Sequence, residues 1–307
     1  MIRSALIICT RNRADTFLGL MKNLENVNFN FDKVIVVDSS DTSYDKQKNR
    51  NAAAKCRHNI QVLDSLPGLP RQRNLGISWL VENHKDFDAI FFLDDDARVE
   101  SDYFQVAQSF IEEKKSWVAF TGYCTSLQRK DPGFLRKFFL LDSRINGAIL
   151  TSGYTTTPNP TNEIERVSWL PGISMVFNPW IFQYERFNET LRLYYEDVEM
   201  SLRVERYGEL FALRDMRYSH LFEDKGRESI SKQIEFTLGT KWKMARENSN
   251  GKITKIGILW SIFGMSVATI LKIMLLKEVI FNLRVLIGHI KFLSKIFLRR
   301  ELLQRIT

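Results

Sequence analysis

Cysteine is scarce in this chain of 307 residues. The three present, Cys9, Cys56 and Cys124, are scattered and odd in number, and no Cys-x-x-Cys pair occurs. That excludes a disulfide framework and a zinc site of the usual spacing, and a reducing compartment is expected. The opening apolar run, residues 5–9, is too short for a signal peptide and has no small-residue cleavage site after it, so it reads as a first strand. No internal repeat is found. A surplus of charge is missing from most of the chain: residues 1–250 hold thirty-four basic and thirty-four acidic side chains. A general nucleic-acid-binding surface on that part is disfavoured, and no nucleic-acid partner is expected. The whole net charge of +8 comes from residues 251–307, where ten Lys or Arg face two Glu.

What is present suffices for a folded protein. Hydrophobic residues make up 44% of the chain, enough for a sizeable core in one large or two small domains. Short apolar runs at 5–9, 33–38, 60–63, 90–93 and 118–120 alternate with amphipathic stretches. The stretch 14–25 carries Phe17, Leu20, Met21 and Leu24, with Asp15 as its expected N-cap. Helices are also expected to about Lys55, over 71–82, and over 102–115 with Ser101 as cap. This alternation predicts an α/β fold, a Rossmann-like, mostly parallel sheet with helices on both faces. Residues 123–167 lack clear periodicity, and 151–160 reads as a mobile loop. A further strand is expected over 173–177, a helix from about 194 to 207 closed by Gly208, and a strand over 210–213.

The densest chemistry lies at Ile90-Phe91-Phe92-Leu93-Asp94-Asp95-Asp96. Four apolar residues run into three carboxylates, so a buried strand ends in acids where the chain leaves the core. In open α/β sheets that edge binds ligands. Adjacent carboxylates repel, and a divalent cation with a preference for hard oxygen donors relieves the repulsion. The second strand also ends in an acid, Asp38, which should converge with the triplet in space. A bland alternative for each feature is a polar loop or, for Glu196-Asp197, acids favoured by a helix N-terminus.

Five pieces in order resemble the inverting family 2 glycosyltransferases of the GT-A fold. They are Ile8-Cys9-Thr10-Arg11-Asn12-Arg13, Ile35-Val36-Val37-Asp38-Ser39-Ser40, Pro67-Gly68 with Arg73-Asn74-Leu75-Gly76-Ile77, Phe92-Leu93-Asp94-Asp95-Asp96, and Tyr195-Glu196-Asp197-Val198-Glu199-Met200-Ser201-Leu202-Arg203. The likeness covers roughly residues 1–225. It implies a nucleotide-sugar donor and a divalent metal, Mn²⁺ or Mg²⁺, held by Asp96 and Asp94 with His220. Thr10, Arg13, Asp38, Arg73, Asp94 and Asp95 are implied around the nucleotide. Asp197 is implied as the general base, with Glu196 beside it in a structural role. The family often has two adjacent acids after its second strand; here the second is Ser39. Trp169 and Gly172 are expected near the acceptor, which would be a glycan or a lipid-linked sugar of surface polysaccharide assembly. A nucleotidyltransferase is the first alternative, disfavoured because the turn Thr10-Arg11-Asn12-Arg13 has no glycine to cradle phosphate. A non-catalytic membrane-bound scaffold is the second.

The tail, 241–307, is set apart from a catalytic domain over 1–240. Its uncharged stretch 256–271 has sixteen residues, short of the ~20 that span a bilayer. Beyond it, Lys277, Arg284, Lys291 and Lys295 recur close to one face of an apolar helix. Such a helix is expected to lie on an anionic membrane at the cytoplasmic face, as a peripheral or monotopic attachment. Packing against the protein's own core, or pairing of two copies through the tail, is the alternative.

Overall fold

The computed structural model describes residues 2–83, 86–114, 116–127, 131–191, 194–221, 229–247 and 251–304, with side chains as far as 296. The chain forms two compact units. The first comprises Met1–Lys130, Asn146–Ala148 and Thr157–Gly226, and the second Asp131–Ile145, Ile149–Thr156 and Arg227–Thr307.

The first unit is built on one mixed sheet. Strands β1 (Ser4–Thr10), β2 (Lys33–Asp38), β3 (Ile60–Asp64) and β4 (Ala89–Asp94) lie in the order β3-β2-β1-β4 and are all parallel. Helices α1 (Ala14–Glu25), α2 (Ser43–Ala54) and α3 (Leu69–Asn83) make the crossovers. Residues of β1, β2 and β4 are buried on both faces, which is why they read as continuous apolar runs. Past β4 the sheet turns mixed. Strand β5 (Ala97–Val99) follows the acid triplet and helix α4 (Tyr103–Glu113) leads to β6 (Ala119–Cys124). Strands β7 (Ile164–Val167), β8 (Ser174–Phe177) and β9 (Leu210–His220) complete it. Strand β8 runs antiparallel between β4 and β6, while β5 and β7 both pair antiparallel with β9. Aromatic rings fill one side of the sheet, with Phe29, Phe31, Phe91 and Phe104 meeting edge to face or tilted at 4.8–6.3 Å.

Local expectations shift in three places. Asp15 is not the cap of α1: Arg13 occupies that position, and Asp15 in the first turn pairs with Lys48 at 2.6 Å. Asp102, not Ser101, precedes α4, and residue 115 lies outside the described residues. The stretch 151–160 is tied down at its start: Leu150 N–H donates to the Tyr154 carbonyl at 2.8 Å, and buried Ser152 donates to the Leu140 carbonyl.

The second unit holds the short α5 (Phe134–Phe138), then α7 (Ile230–Glu247), α8 (Lys255–Met274) and α9 (Val279–Gln304); α6 (Glu196–Val204) belongs to the first unit. Thr254 caps α8 by accepting from the Gly257 N–H at 3.0 Å. Glycines let α8 approach its neighbours: a Cβ on Gly264 would stand 2.1 Å from the Phe139 ring, and one on Gly257 would stand 2.5 Å from the Thr151 carbonyl. Lys277 sits in the turn between α8 and α9, off the helix on which the sequence placed it.

Candidate active site

Sheet register gathers the acids. Thr10 lies opposite Asp38 across β1 and β2, and Cys9 opposite Asp94 across β1 and β4, so three strands end together. Asp94 closes β4, and Asp95 and Asp96 form the turn into β5. Because β5 folds back on the end of β9, Ala97 lies opposite His220. The His220 Nε2 then sits 3.2 Å from the Asp96 Oδ2. On the other side, the Thr10 hydroxyl donates to Asp95 Oδ2 at 2.7 Å. Arg13 reaches Asp95 at 2.6 Å and Asp96 at 3.1 Å.

These carboxyls are buried, which raises the cost of charging them. Burial pushes Asp95 up to about 7, against the opposing pull of Arg13. It pushes Asp94 up to about 6, against Arg73. For Asp96 burial again works upward, but the His220 hydrogen bond and the Arg13 charge outweigh it and hold the carboxyl below its usual range.

A second group of acids is tied to the first by Arg73. This side chain, 1% exposed, donates to Glu196 Oε1 at 3.1 Å and to the Gly172 carbonyl at 3.0 Å, and lies 3.4 Å from Asp94 Oδ1. Its guanidinium also stacks 5.1 Å from the Phe187 ring centre. Arginines normally lie at the surface; this one is enclosed by its partners. Glu196 and Asp197 open α6, immediately after Tyr194 and Tyr195, whose φ angles of 71° and 68° are left-handed. Two such non-glycine residues in a row are costly, and they set the direction in which α6 starts. Asp197 accepts from the Gly172 N–H at 2.9 Å and from the Val198 N–H at 2.8 Å. It is half-buried, whereas Glu196 is buried against Arg73. Burial raises both carboxyls, Glu196 further through the charge of Asp197. Gly172 is fixed by contact: a Cβ there would stand 2.8 Å from Arg73 and 3.3 Å from Asp197.

Asp38 is the exception. It is buried at the same sheet edge, but its oxygens accept from the Ser40 N–H at 2.8 Å and the Asn49 side chain at 2.9 Å. It shapes the loop after β2 and is bonded neither to Arg13 nor to Arg73 among the described residues. Sequence reasoning missed several supports. Asn12 and Arg11 lace that loop to the one after β1 through Asp41. Buried Gln72 donates to the Thr10 and Val37 carbonyls at 3.1 and 2.9 Å. Gln72 stands beside Arg73 in α3, and nothing local in the sequence marks it as buried.

A hard divalent cation is chemically suited to this donor set of carboxylates and one imidazole. Asp96 Oδ1 is buried and finds no hydrogen-bond partner outside its own residue among the described residues, so it is available as a ligand atom. Among the described residues no three His, Cys, Asp or Glu side chains already converge on one point. Asp94 is turned towards Arg73, and Asp95 towards Thr10 and Arg13.

Comparison with known proteins follows the same lines. Residues 5–170 match the family described as Glycosyl transferase family 2. No curated protein matches by sequence. Among solved structures, mannosyltransferase PcManGT from Pyrobaculum calidifontis, in complex with GDP-Man and Mn²⁺, is 13% identical with a TM-score of 0.59. That match covers 95% of this chain and 87% of that one. GalNAc-T7, with UDP, GalNAc and Mn²⁺, is 13% identical with a TM-score of 0.57, over 88% of this chain. This chain spans about half of GalNAc-T7, 51%. Glucosyl-3-phosphoglycerate synthase from Mycobacterium tuberculosis, with Mn²⁺, UDP and phosphoglyceric acid, is 10% identical with a TM-score of 0.52, over 80% and 78% of the two chains. These likenesses establish a shared GT-A-like fold.

Proposed function

The chain belongs to glycosyl transferase family 2, and from that membership we propose a metal-dependent, inverting transfer of a sugar from a nucleotide-sugar donor to a hydroxyl of a glycan or lipid-linked acceptor. One observation carries the reading: Arg73 touches both Asp94 of the triplet and Glu196 of α6, so the donor acids and the base helix share one site. Asp197 takes the proton from the acceptor hydroxyl as that oxygen attacks the anomeric carbon opposite the leaving diphosphate. Its two backbone hydrogen bonds fix its direction, and burial raises its carboxyl above the usual range, which strengthens it as a base. Glu196 neutralises Arg73 and positions the helix. Thr10, Arg13 and Asp95 border the nucleotide, and Asp38 acts there through the loop it holds. Asp96 and Asp94, with His220, would hold Mn²⁺ or Mg²⁺, whose charge stabilises the nucleoside diphosphate as it leaves. The complexes of PcManGT with GDP-Man and Mn²⁺ and of GalNAc-T7 with UDP and Mn²⁺ support a donor and a cation of these classes.

The reading extends to the tail, whose cations and apolar helices support attachment at the cytoplasmic face of a membrane, beside a lipid-linked acceptor of surface polysaccharide assembly. Full-length protein found in the soluble fraction without detergent would remove this part. The chemistry is tested with purified protein, Mn²⁺ and a panel of nucleotide-sugars. Slow release of nucleoside diphosphate from one donor is expected. Pyrophosphate release would mean a nucleotidyltransferase, and no binding of any donor a scaffold.

A further inference from the structure

The second unit displays an apolar surface that a soluble helical bundle would hide. On α8 the residues Ile256, Leu259, Phe263, Val267, Ile270 and Met274 are all exposed, Ile256 and Met274 at 82% and 73%. Their spacing of three and four residues makes one stripe along the helix. On α9 the exposed Ile280, Leu283, Ile287 and Ile290 repeat the pattern. The opposite faces are packed: Gly257 and Gly264 of α8 against residues 151 and 139, and Gly288 of α9 against Ile234 of α7.

A third element joins this surface from outside the tail. The short helix α5 leaves Phe134 73%, Leu135 65% and Phe138 50% exposed. Phe134 stacks on Phe138 at 5.9 Å, Phe138 meets Trp260 at 5.3 Å, and Trp260 stacks on Phe263 at 5.7 Å. The Trp260 indole N–H donates to the Phe138 carbonyl at 2.8 Å, which locks α5 to α8. Between the exposed rings stand Arg136 and Lys137. Arg284, Lys291 and Lys295 run along one edge of the α9 stripe, at 100° per residue.

We propose that α5 is an aromatic wedge, Phe134-Leu135-Phe138, that enters an anionic lipid bilayer together with the outward stripes of α8 and α9. The inference rests on the membrane attachment proposed above and adds its geometry. Charge selects the occupant: rings and aliphatic side chains bordered by cations match acyl chains beneath anionic headgroups. By length and composition alone α8 could cross a bilayer; the packed inner faces select the other orientation, because a helix held on one side by Thr151 and Phe139 offers lipid only its outer stripe.

The test uses the full chain and vesicles of phosphatidylcholine with or without phosphatidylglycerol, followed by flotation and Trp fluorescence. Replacing both rings (Phe134→Ser with Phe138→Ser) should weaken binding to both vesicle types about tenfold or more. Arg136→Gln with Lys137→Gln should weaken binding only to the anionic vesicles, and high salt should erase that difference. Circular dichroism checks folding, and Leu135→Ser replaces the ring pair if that variant unfolds. If native protein binds neither vesicle, the membrane reading falls and the wedge with it. If native protein binds and the serine variant binds equally, the wedge alone is wrong. If the serine variant turns a dimer into a monomer in sedimentation with vesicle binding intact, the face serves a second copy and the proposal is overturned.

Discussion

The two units treat polarity in opposite ways. The sheet unit buries charge: Arg73, Asp95, Asp96 and Glu196 are each 5% exposed or less. The helical unit exposes apolar side chains along two long helices. Both arrangements oppose stability. Buried ions lose hydration, and exposed hydrocarbon gains nothing from folding. The comparison teaches where function resides in each unit. On the reading proposed above, the charges of the first unit serve a charged ligand and the uncovered face of the second serves an apolar one.

Substitutions can break or sharpen that contrast. The largest effect is expected from Asp197→Asn, which should slow transfer by ~10²–10⁴-fold while donor affinity stays within a few-fold. Steady-state kinetics and donor titration calorimetry check it, and loss of donor binding instead would mean a different role. Next is Arg73→Met, which leaves Asp94 and Glu196 without their shared cation. Removing one partner of a buried ion pair costs ~3–5 kcal/mol, readable as a lower urea midpoint. An unchanged midpoint would mean that the buried acids are neutral in the folded state. Gly172→Ala should push Arg73 and Asp197 apart, lowering the transfer rate by roughly 10–100-fold with a smaller loss of stability.

The fourth expectation concerns pH. Burial lifts the Asp95 carboxyl from an ordinary 3.8 to about 7. Between those limits the folded chain binds a proton that the unfolded chain does not, so stability falls as pH rises from about 4 to 7. In metal-free buffer, Asp95→Asn should flatten that fall in melting temperature; an unaltered slope would exclude Asp95 as its source. The smallest effect belongs to the other unit. Ile256→Ser should change stability by less than ~0.5 kcal/mol, because the side chain already faces outward. A larger loss would show that the stripe is covered in solution.

The legible parts of the fold are those whose signal is local. Strands β1, β2 and β4 are apolar on both faces and end in Thr10, Asp38 and Asp94, so their nature and shared edge could be read directly. Strands β5 and β7 have three and four residues and depend on pairing with distant β9, so no periodicity announces them. The same holds within the site. The acids stand out by type, but the burial of Arg73 and Gln72 is set by contacts up to 123 residues away. Asp38 shows the converse: it lies at the sheet edge where the sequence places it, but its side chain points into its own loop.

Because one guanidinium contacts both Asp94 and Glu196, the two acids cannot be re-engineered independently. A designer who alters Asp94 also changes the counter-charge of Glu196, and with it the surroundings of Asp197. Variants selected for a change at one acid should therefore drift in the behaviour of the other.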